Sequence, residues 1–539
     1  MSRNMDIRKI AISTLSPIHI GCGMVYEPSN FVIHEQLLHA LDEATLAEDL
    51  TDDERKTLGD ASSSHEPIAR LQTFFRGQAP RFAELAKHRV AVVKDIADEY
   101  ARNAGQAVQR GSSGQPVYNM FPIARTAFQP YDNTPYIPGS SIKGSIRTAW
   151  LDHLNKGNPL PGGEKSQDHA ASRKLQERLL GYTSKHLEND PFRRVRIADA
   201  SVDENASPPP TQVLYAISKK KKFSDRGSPE LRVFLETVPE AMPGRFHGDV
   251  RLDGAIDWAA LCDACNRFYR PQLEAELDHQ LLGALIDPDW KRLVSNLLQE
   301  EMMELISARQ GFLLRIGRHS GAESVTLEGL RDIKILGERG KPFRANTTEK
   351  RFASHTKRGI DSLLPFGWVW VEACEGSHQG TADALRAKLA KRSGPILEAH
   401  ADRLARSESA QQERASRRHA AEQERKAMAQ QREAEEAERV RRAQEIAAMT
   451  PGRRAIAEFV TQASGRIESL RGSKEKLNAD FHNRARALVQ QALSGSDWNA
   501  EEKIALADAI AEWLPKIVTG IDKDKDQLKK LKLTSLRGG

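Results

Sequence analysis

Between Leu404 and Val440 this chain of 539 residues contains no Val, Ile, Leu or Phe. A stretch without an apolar stripe cannot contribute to a core, so cores must form separately on either side of it. Residues 396–449 are dominated by Ala, Glu, Arg, Gln and Lys. A helix there has nothing to fill the a and d positions of a coiled-coil seam. It is predicted to be a solvated helix held by i,i+4 charge pairs, or a partly disordered arm. Gly394-Pro395 and Thr450-Pro451-Gly452 punctuate its ends; the divisions expected are 1–380, 381–450 and 451–539. In the last, Ile456, Phe459, Phe481, Leu488, Ile510 and Trp513 recur at helical spacing. Three amphipathic helices in a small bundle are expected, with a basic end at 523–532 that contacts RNA or a neighbouring protein.

The longer N-terminal part mixes strand and helix signals. Residues 6–16 alternate as a half-buried strand, and Pro17 stops it. His19, Gly21 and Gly23 then form a loop before a second strand at 29–33. Residues 44–108 carry a helical pattern, with Val90 and Val93 on helix faces, and read as an inserted helical subdomain. The run Tyr136-Ile137-Pro138-Gly139-Ser140-Ser141-Ile142-Lys143-Gly144-Ser145-Ile146-Arg147 follows. It reads as strand end, loop and helix start, where unpaired amides and the helix dipole favour an anion. Lys143 and Arg147, four residues apart, add positive charge on one face. A nucleotide P-loop is excluded because Lys143 precedes Gly144 instead of following it.

Further basic residues extend this reading. In the strand predicted at 192–199, Arg194 and Arg196 share a face, and Asp199 is expected to make a turn at its end. Lys219, Lys220, Lys221 and Lys222 sit at a predicted hairpin tip, as a solvated run or an RNA-backbone finger. A buried strand at 311–316 ends in Gly317-Arg318-His319-Ser320-Gly321, where two glycines allow backbone and basic side chains to approach phosphate. Residues 256–308 are expected to form two helices. The formal net charge is only +6, so any nucleic-acid footprint comes from such clusters rather than from the whole chain. Four cysteines, Cys22, Cys262, Cys265 and Cys374, and no apolar run near membrane-spanning length indicate a protein of a reducing cytoplasm. The pair Cys262 and Cys265 lacks a second pair to complete a zinc site, so no metal and no cofactor are expected.

The run from Pro138 to Arg147 closely resembles the signature of the RAMP superfamily of CRISPR effector proteins. Leu15-Ser16-Pro17-Ile18-His19-Ile20-Gly21-Cys22-Gly23 is similar to its N-terminal segment, and Arg196-Ile197-Ala198-Asp199-Ala200 to its middle strand. The glycine loop at 317–321 and Leu364-Pro365-Phe366-Gly367-Trp368-Val369 take the places of its late motifs. Within the superfamily the similarity is greatest to the fifth-subunit family of type III-A (Csm) complexes. The resemblance spans about residues 6–373 and implies an α+β fold: a ferredoxin-like (RRM-like) core with helical insertions, to which this chain adds an all-α C-terminal extension. It implies a non-catalytic subunit capping the 3′ side of the guide RNA, with target RNA, the backbone and small subunits, and a guide-maturation nuclease as partners, and no membrane. The alternatives are an endoribonuclease trimming the guide with His19 or His319 as base, or a sister subunit of a type III-B complex. The RNA-binding residues it implies are His19, Gly21, Gly23, Gly139, Ser140, Ser141, Lys143, Gly144, Arg147, Arg194, Arg196, Lys220, Lys221, Arg318 and His319.

Overall fold

Alternation in the first strand gives way to full burial: Asp6–Thr14 exposes its outer positions and buries every residue from Ile10 onward. Such a strand must lie between two others. In the computed structural model it does, flanked antiparallel by Phe246–Leu252 and Trp368–Ala373, with Ile12 opposite Phe246 on one side and Val371 on the other. Gly311–Arg315 closes one edge, and Ser201–Val202 and Val195–Ile197 lie at the other. Ile10, Ile12, Trp368 and Trp370 are fully buried. Gly311 is required here, because a Cβ would stand 2.3 Å from the Trp370 ring. The structure describes residues 5–64, 66–110, 116–118, 121–161, 170–203, 209–222, 232–254, 256–335, 343–521 and 530–538.

A second, mixed sheet has its strands in the order Gly21–Tyr26, Ile123–Thr126, Arg232–Thr237, Gln212–Lys220, His88–Val92, Leu37–Ala40 and Phe31–His34. Gln212–Lys220 runs parallel to His88–Val92 but antiparallel to Glu349–Ser354, which continues the same edge. The fold is α+β with helical insertions and an all-α C-terminal region. The two sheets and their helices share one core, so the core is larger than a single sheet backed by helices.

Several element boundaries differ from the sequence expectation. The insertion contains Glu43–Asp49, Asp52–Ser62, Pro67–Gly77, Ala79–Leu85 and Lys94–Asn103 as helices, but His88–Val92 is a strand. Val90 and Val92 are buried there because β-branched residues fit a central strand. Residues 256–308 form three helices, Trp258–Leu277, Pro288–Gln299 and Glu301–Ser307. The helix Gln379–Ala448 runs through Gly394-Pro395 without ending. Its first turns bury Ala382, Leu385 and Leu389, an apolar stripe at three- and four-residue spacing that ties them to the first core.

The chain divides into two compact units, residues 1–412 and 413–539, so the expected separate segment 381–450 is split between them. The second unit has its own core of Phe459, Phe481, Val489, Leu506, Ile510 and Leu514 on the helices Pro451–Leu470, Asp480–Ser494 and Ala500–Ile517. A capping box of Asn499 and Glu502 starts the last of these. Most of the basic end at 523–532 lies outside the described residues.

Candidate nucleic-acid interface

The helix that begins the glycine-rich motif spans Gly139–Asn155, with Pro138 immediately before it. Its first turn is less open to an anion than the sequence suggests. The Gly139 amide donates to Asp199 Oδ1 at 2.7 Å, and the Ser141 and Ile142 amides donate to the Pro138 carbonyl at 2.9 and 3.3 Å. Asp199, expected to make a turn, is the carboxylate that satisfies this helix end. Gly139 has no room for a side chain: a Cβ would lie 2.3 Å from the Ile197 carbonyl. Ser140 and Gly144 remain exposed, and Lys143 is half-buried. Burial and then the neighbouring Arg147 lower the Lys143 pKa, with Asp190 opposing.

Arg147 is not a free phosphate ligand. It pairs with Asp190 at 3.0 Å, donates to Gln176 Oε1 at 3.1 Å, and lies 5.1 Å over the Phe192 ring. Its guanidinium is spent holding the helix to the segment Pro191–Arg194. That segment is a 3₁₀ turn, so the predicted strand shortens to Val195–Ile197. Arg194 and Arg196 are nonetheless both exposed; the Ile197 and Ala198 carbonyls abut the helix start at Gly139, whereas the Arg194 side chain lies along Gly254.

The first loop is also tied into the chain. His19 is fully buried, and its Nδ1–H donates to the Glu236 carbonyl at 2.7 Å. Its own carbonyl accepts the Arg318 amide at 2.8 Å. Gly317, at φ +78°, makes this docking possible, because a Cβ would stand 2.4 Å from the same carbonyl. Burial lowers the His19 pKa; the Glu236 carbonyl partly offsets this, and Arg318 adds to it. His19 therefore cannot face RNA. Gly21, Cys22 and Gly23 are exposed on the edge strand Gly21–Tyr26.

His319, at φ +69°, packs with its ring 5.4 Å from that of Phe366. Burial, with Arg351, Arg318 and His19 adding repulsion, draws its pKa down to about 3. It is neutral at physiological pH and supplies no cation to a phosphate, contrary to expectation. The Nε2 atoms of both histidines are buried without a hydrogen-bond partner among the described residues. Arg318 is exposed.

The three glycine loops are joined. Loop 317–321 docks on His19, and Ser145 Oγ, one turn into the motif helix, donates to the Arg315 carbonyl at 2.9 Å. The lysine run approaches the same region: Lys221 pairs with Glu323 at 2.5 Å, and its amide donates to the Thr348 carbonyl at 2.9 Å. Lys221 is thus neutralised by the chain itself. Lys222 is exposed, and the rest of the predicted tip, 223–231, lies outside the described residues. Strand pairing sets Lys219 opposite Lys350 and Ser218 opposite Arg351. Arg351, close enough to depress His319, was not singled out in the sequence. The basic alternation of Lys350-Arg351 before Phe352 was its only signal.

Among the described residues no group of three His, Cys, Asp or Glu side chains is arranged to hold a metal. Cys262 and Cys265 are buried in the helix Trp258–Leu277, and burial raises both thiols. No helix of the described residues is long and apolar enough to cross a membrane.

A family model described as the RAMP superfamily matches residues 11–261. The chain is 27% identical over 199 residues to the CRISPR system Cms protein Csm5 of Methanocaldococcus jannaschii, a match covering 36% of this chain and 42% of that relative. The chain thus spans less than half the length of this curated relative. A chain of the cryo-EM structure of a Csm-crRNA-target RNA ternary complex in a type III-A CRISPR-Cas system is similar with a TM-score of 0.42 and 16% identity, over 68% of this chain and 100% of the other. The crystal structure of T. onnurineus Csm5 gives 0.37 and 18%, over 67% of this chain and 99% of the other. Structural scores of this size add no weight to the sequence matches.

Proposed function

We propose, on the match of residues 11–261 to the RAMP superfamily model, that the chain is a guide-RNA-binding subunit of a type III-A (Csm) interference complex that holds RNA at the guide's 3′ side without cutting it. The observation that carries this reading is Gly144. A glycine inside a helix costs about 0.5–1 kcal/mol relative to alanine, yet a Cβ at Gly144 would meet nothing within 4 Å. The protein's own packing gives no reason for it, as it gives none for the helical Gly59, Gly394 and Gly465, and Gly144 differs from these in following Lys143 and lying one turn from Ser140. Close approach by an outside backbone gives one, and the exposed Ser140 and half-buried Lys143 on the same helix are groups that bind phosphate; exposed Arg194 and Arg196 lie on the segment whose end at Ile197 abuts Gly139. Exposed Arg318 extends the track past Ser145 and Arg315. Contacts of this kind ignore base identity, as a subunit serving many guides requires.

Holding rather than cutting is supported by the two candidate bases. His19 is sealed beneath the loops, and His319 is half-buried against Phe366 with its pKa drawn down to about 3. On this reading the partners are the guide RNA, target RNA through it, the backbone and small subunits, and a guide-maturation nuclease. Gly144→Glu should lower affinity at least tenfold for unrelated guide sequences without lowering the thermal midpoint. Unchanged affinity would sink the proposal. Incubation of the purified protein with labelled guide precursor should leave the RNA intact with or without EDTA, whereas cleavage abolished by His319→Gln would replace the holding role with the trimming one.

A further inference from the structure

A cavity of about 440 Å³ opens between the C-terminal half of the helix Trp258–Leu277, the 3₁₀ turn Ala322–Val325 and the strand Glu349–Ser354. Its volume lies in the range of small-molecule sites, about 300–1,000 Å³. Five cations line it, Lys221, Arg267, Arg315, Arg331 and Lys350, against three carboxylates. The carboxylates do not serve all five. Glu276 takes Arg315 at 3.1 Å and Lys350 at 2.8 Å, and also accepts the Trp368 indole N–H at 2.9 Å. Glu323 takes Lys221 at 2.5 Å. Burial pushes the Glu276 carboxyl up, but Arg315 and Lys350 outweigh it and hold it below its ordinary value. This set is therefore internally closed.

Arg267 and Arg331 are left over. Neither has an ion-pair partner among the described residues. Among the described residues Arg331 reaches only the Glu323 backbone carbonyl, at 3.4 Å, and its Nε is buried with no hydrogen-bond partner. Asp152 feels the charge of both together with that of the third cavity carboxylate, Glu328, and its Oδ1 already accepts the Glu328 amide at 2.7 Å. Two guanidiniums with spare donors at one cavity match the planar, bidentate geometry of a phosphate. The remaining wall offers apolar surface from Phe268, Pro271 and Leu282, suited to the face of a base. His279 Nδ1 accepts the Leu282 amide at 3.3 Å, so the neutral ring keeps a proton on Nε2 to donate.

We propose that this cavity binds a nucleoside monophosphate, with Arg267 and Arg331 on the phosphate and the Phe268 wall on the base. The ligand is either a free nucleotide or the terminal nucleotide of an RNA. The inference does not rest on the guide-binding reading, because neither arginine belongs to the interface argued above. The full chain is titrated with 5′-AMP, inorganic phosphate and adenosine, and AMP should bind at least tenfold more tightly than adenosine. Arg267→Gln and Arg331→Gln should each weaken AMP about tenfold. Arg267 is exposed, so its substitution should leave the thermal midpoint unchanged. Competition by an RNA ending in a 3′-phosphate supports the pocket and names an RNA terminus as its source. AMP binding that such RNA leaves untouched also supports it and names a diffusible nucleotide. AMP binding no tighter than adenosine, or full AMP affinity in the folded double variant, overturns the proposal.

Discussion

Gly139 and Gly144 lie in one helix, yet a methyl group at the first would meet the Ile197 carbonyl at 2.3 Å and at the second nothing within 4 Å. The two substitutions should therefore act with opposite sign. Gly139→Ala forces the helix off its neighbouring strand and should destabilise by about 1–3 kcal/mol, whereas Gly144→Ala should stabilise by about 0.5–1 kcal/mol. Urea unfolding of both variants checks this. Buried histidines make a second prediction. Burial draws His39 and His88 down to about 4 and His319 to about 3, from an ordinary value of 6.5. Each must take up a proton when the chain unfolds below pH 6.5. Stability present above that pH is lost as pH falls toward 4. His39→Leu should remove part of that loss, seen as a shallower fall of the urea midpoint between pH 7 and pH 5.

At the scale of the element, the motif helix was visible in the sequence because Pro138, the serines and the apolar spacing are local signals. The partner of its N-terminus was not, since Asp199 lies 60 residues away in sequence and nothing local marks a strand-end carboxylate as a cap. The same distance effect reassigned Arg147, whose partner Asp190 is 43 residues off. Asp199→Ala should cost about 1 kcal/mol, as loss of a helix cap does. Arg147→Ala should destabilise the fold through lost packing on Phe192 as well as lost pairing. By contrast, Lys143→Ala and Arg194→Ala should each reduce the slope of log affinity against log salt by about one with little effect on stability. A filter-binding series over salt separates the two classes, and an unchanged slope in the second pair would remove those residues from the interface.

For the whole molecule, the gap between Leu404 and Val440 announced two cores, and two units follow. The boundary was harder to read, because Ala382, Leu385 and Leu389 look like the start of a charged arm until the sheet they cover is known. Likewise, the strand His88–Val92 looks helical in a window of helical neighbours and is fixed only by pairing with residues 37–40 and 212–213. A chain of residues 1–412 should fold alone and keep the full chain's guide affinity within about threefold, since every residue of the interface lies in that unit. Loss of binding in a folded 1–412 chain would move part of the site into the C-terminal helices. Thiol chemistry offers a direct view of the interface. Cys262 and Cys265 are sealed in a helix and Cys374 is half-buried, all three with thiols that burial holds in the protonated, unreactive form. Cys22 is exposed on the edge strand beside the His19 loop. A maleimide fluorophore should therefore enter the native sequence at Cys22 first, placing an optical reporter next to the surface where RNA is proposed to lie.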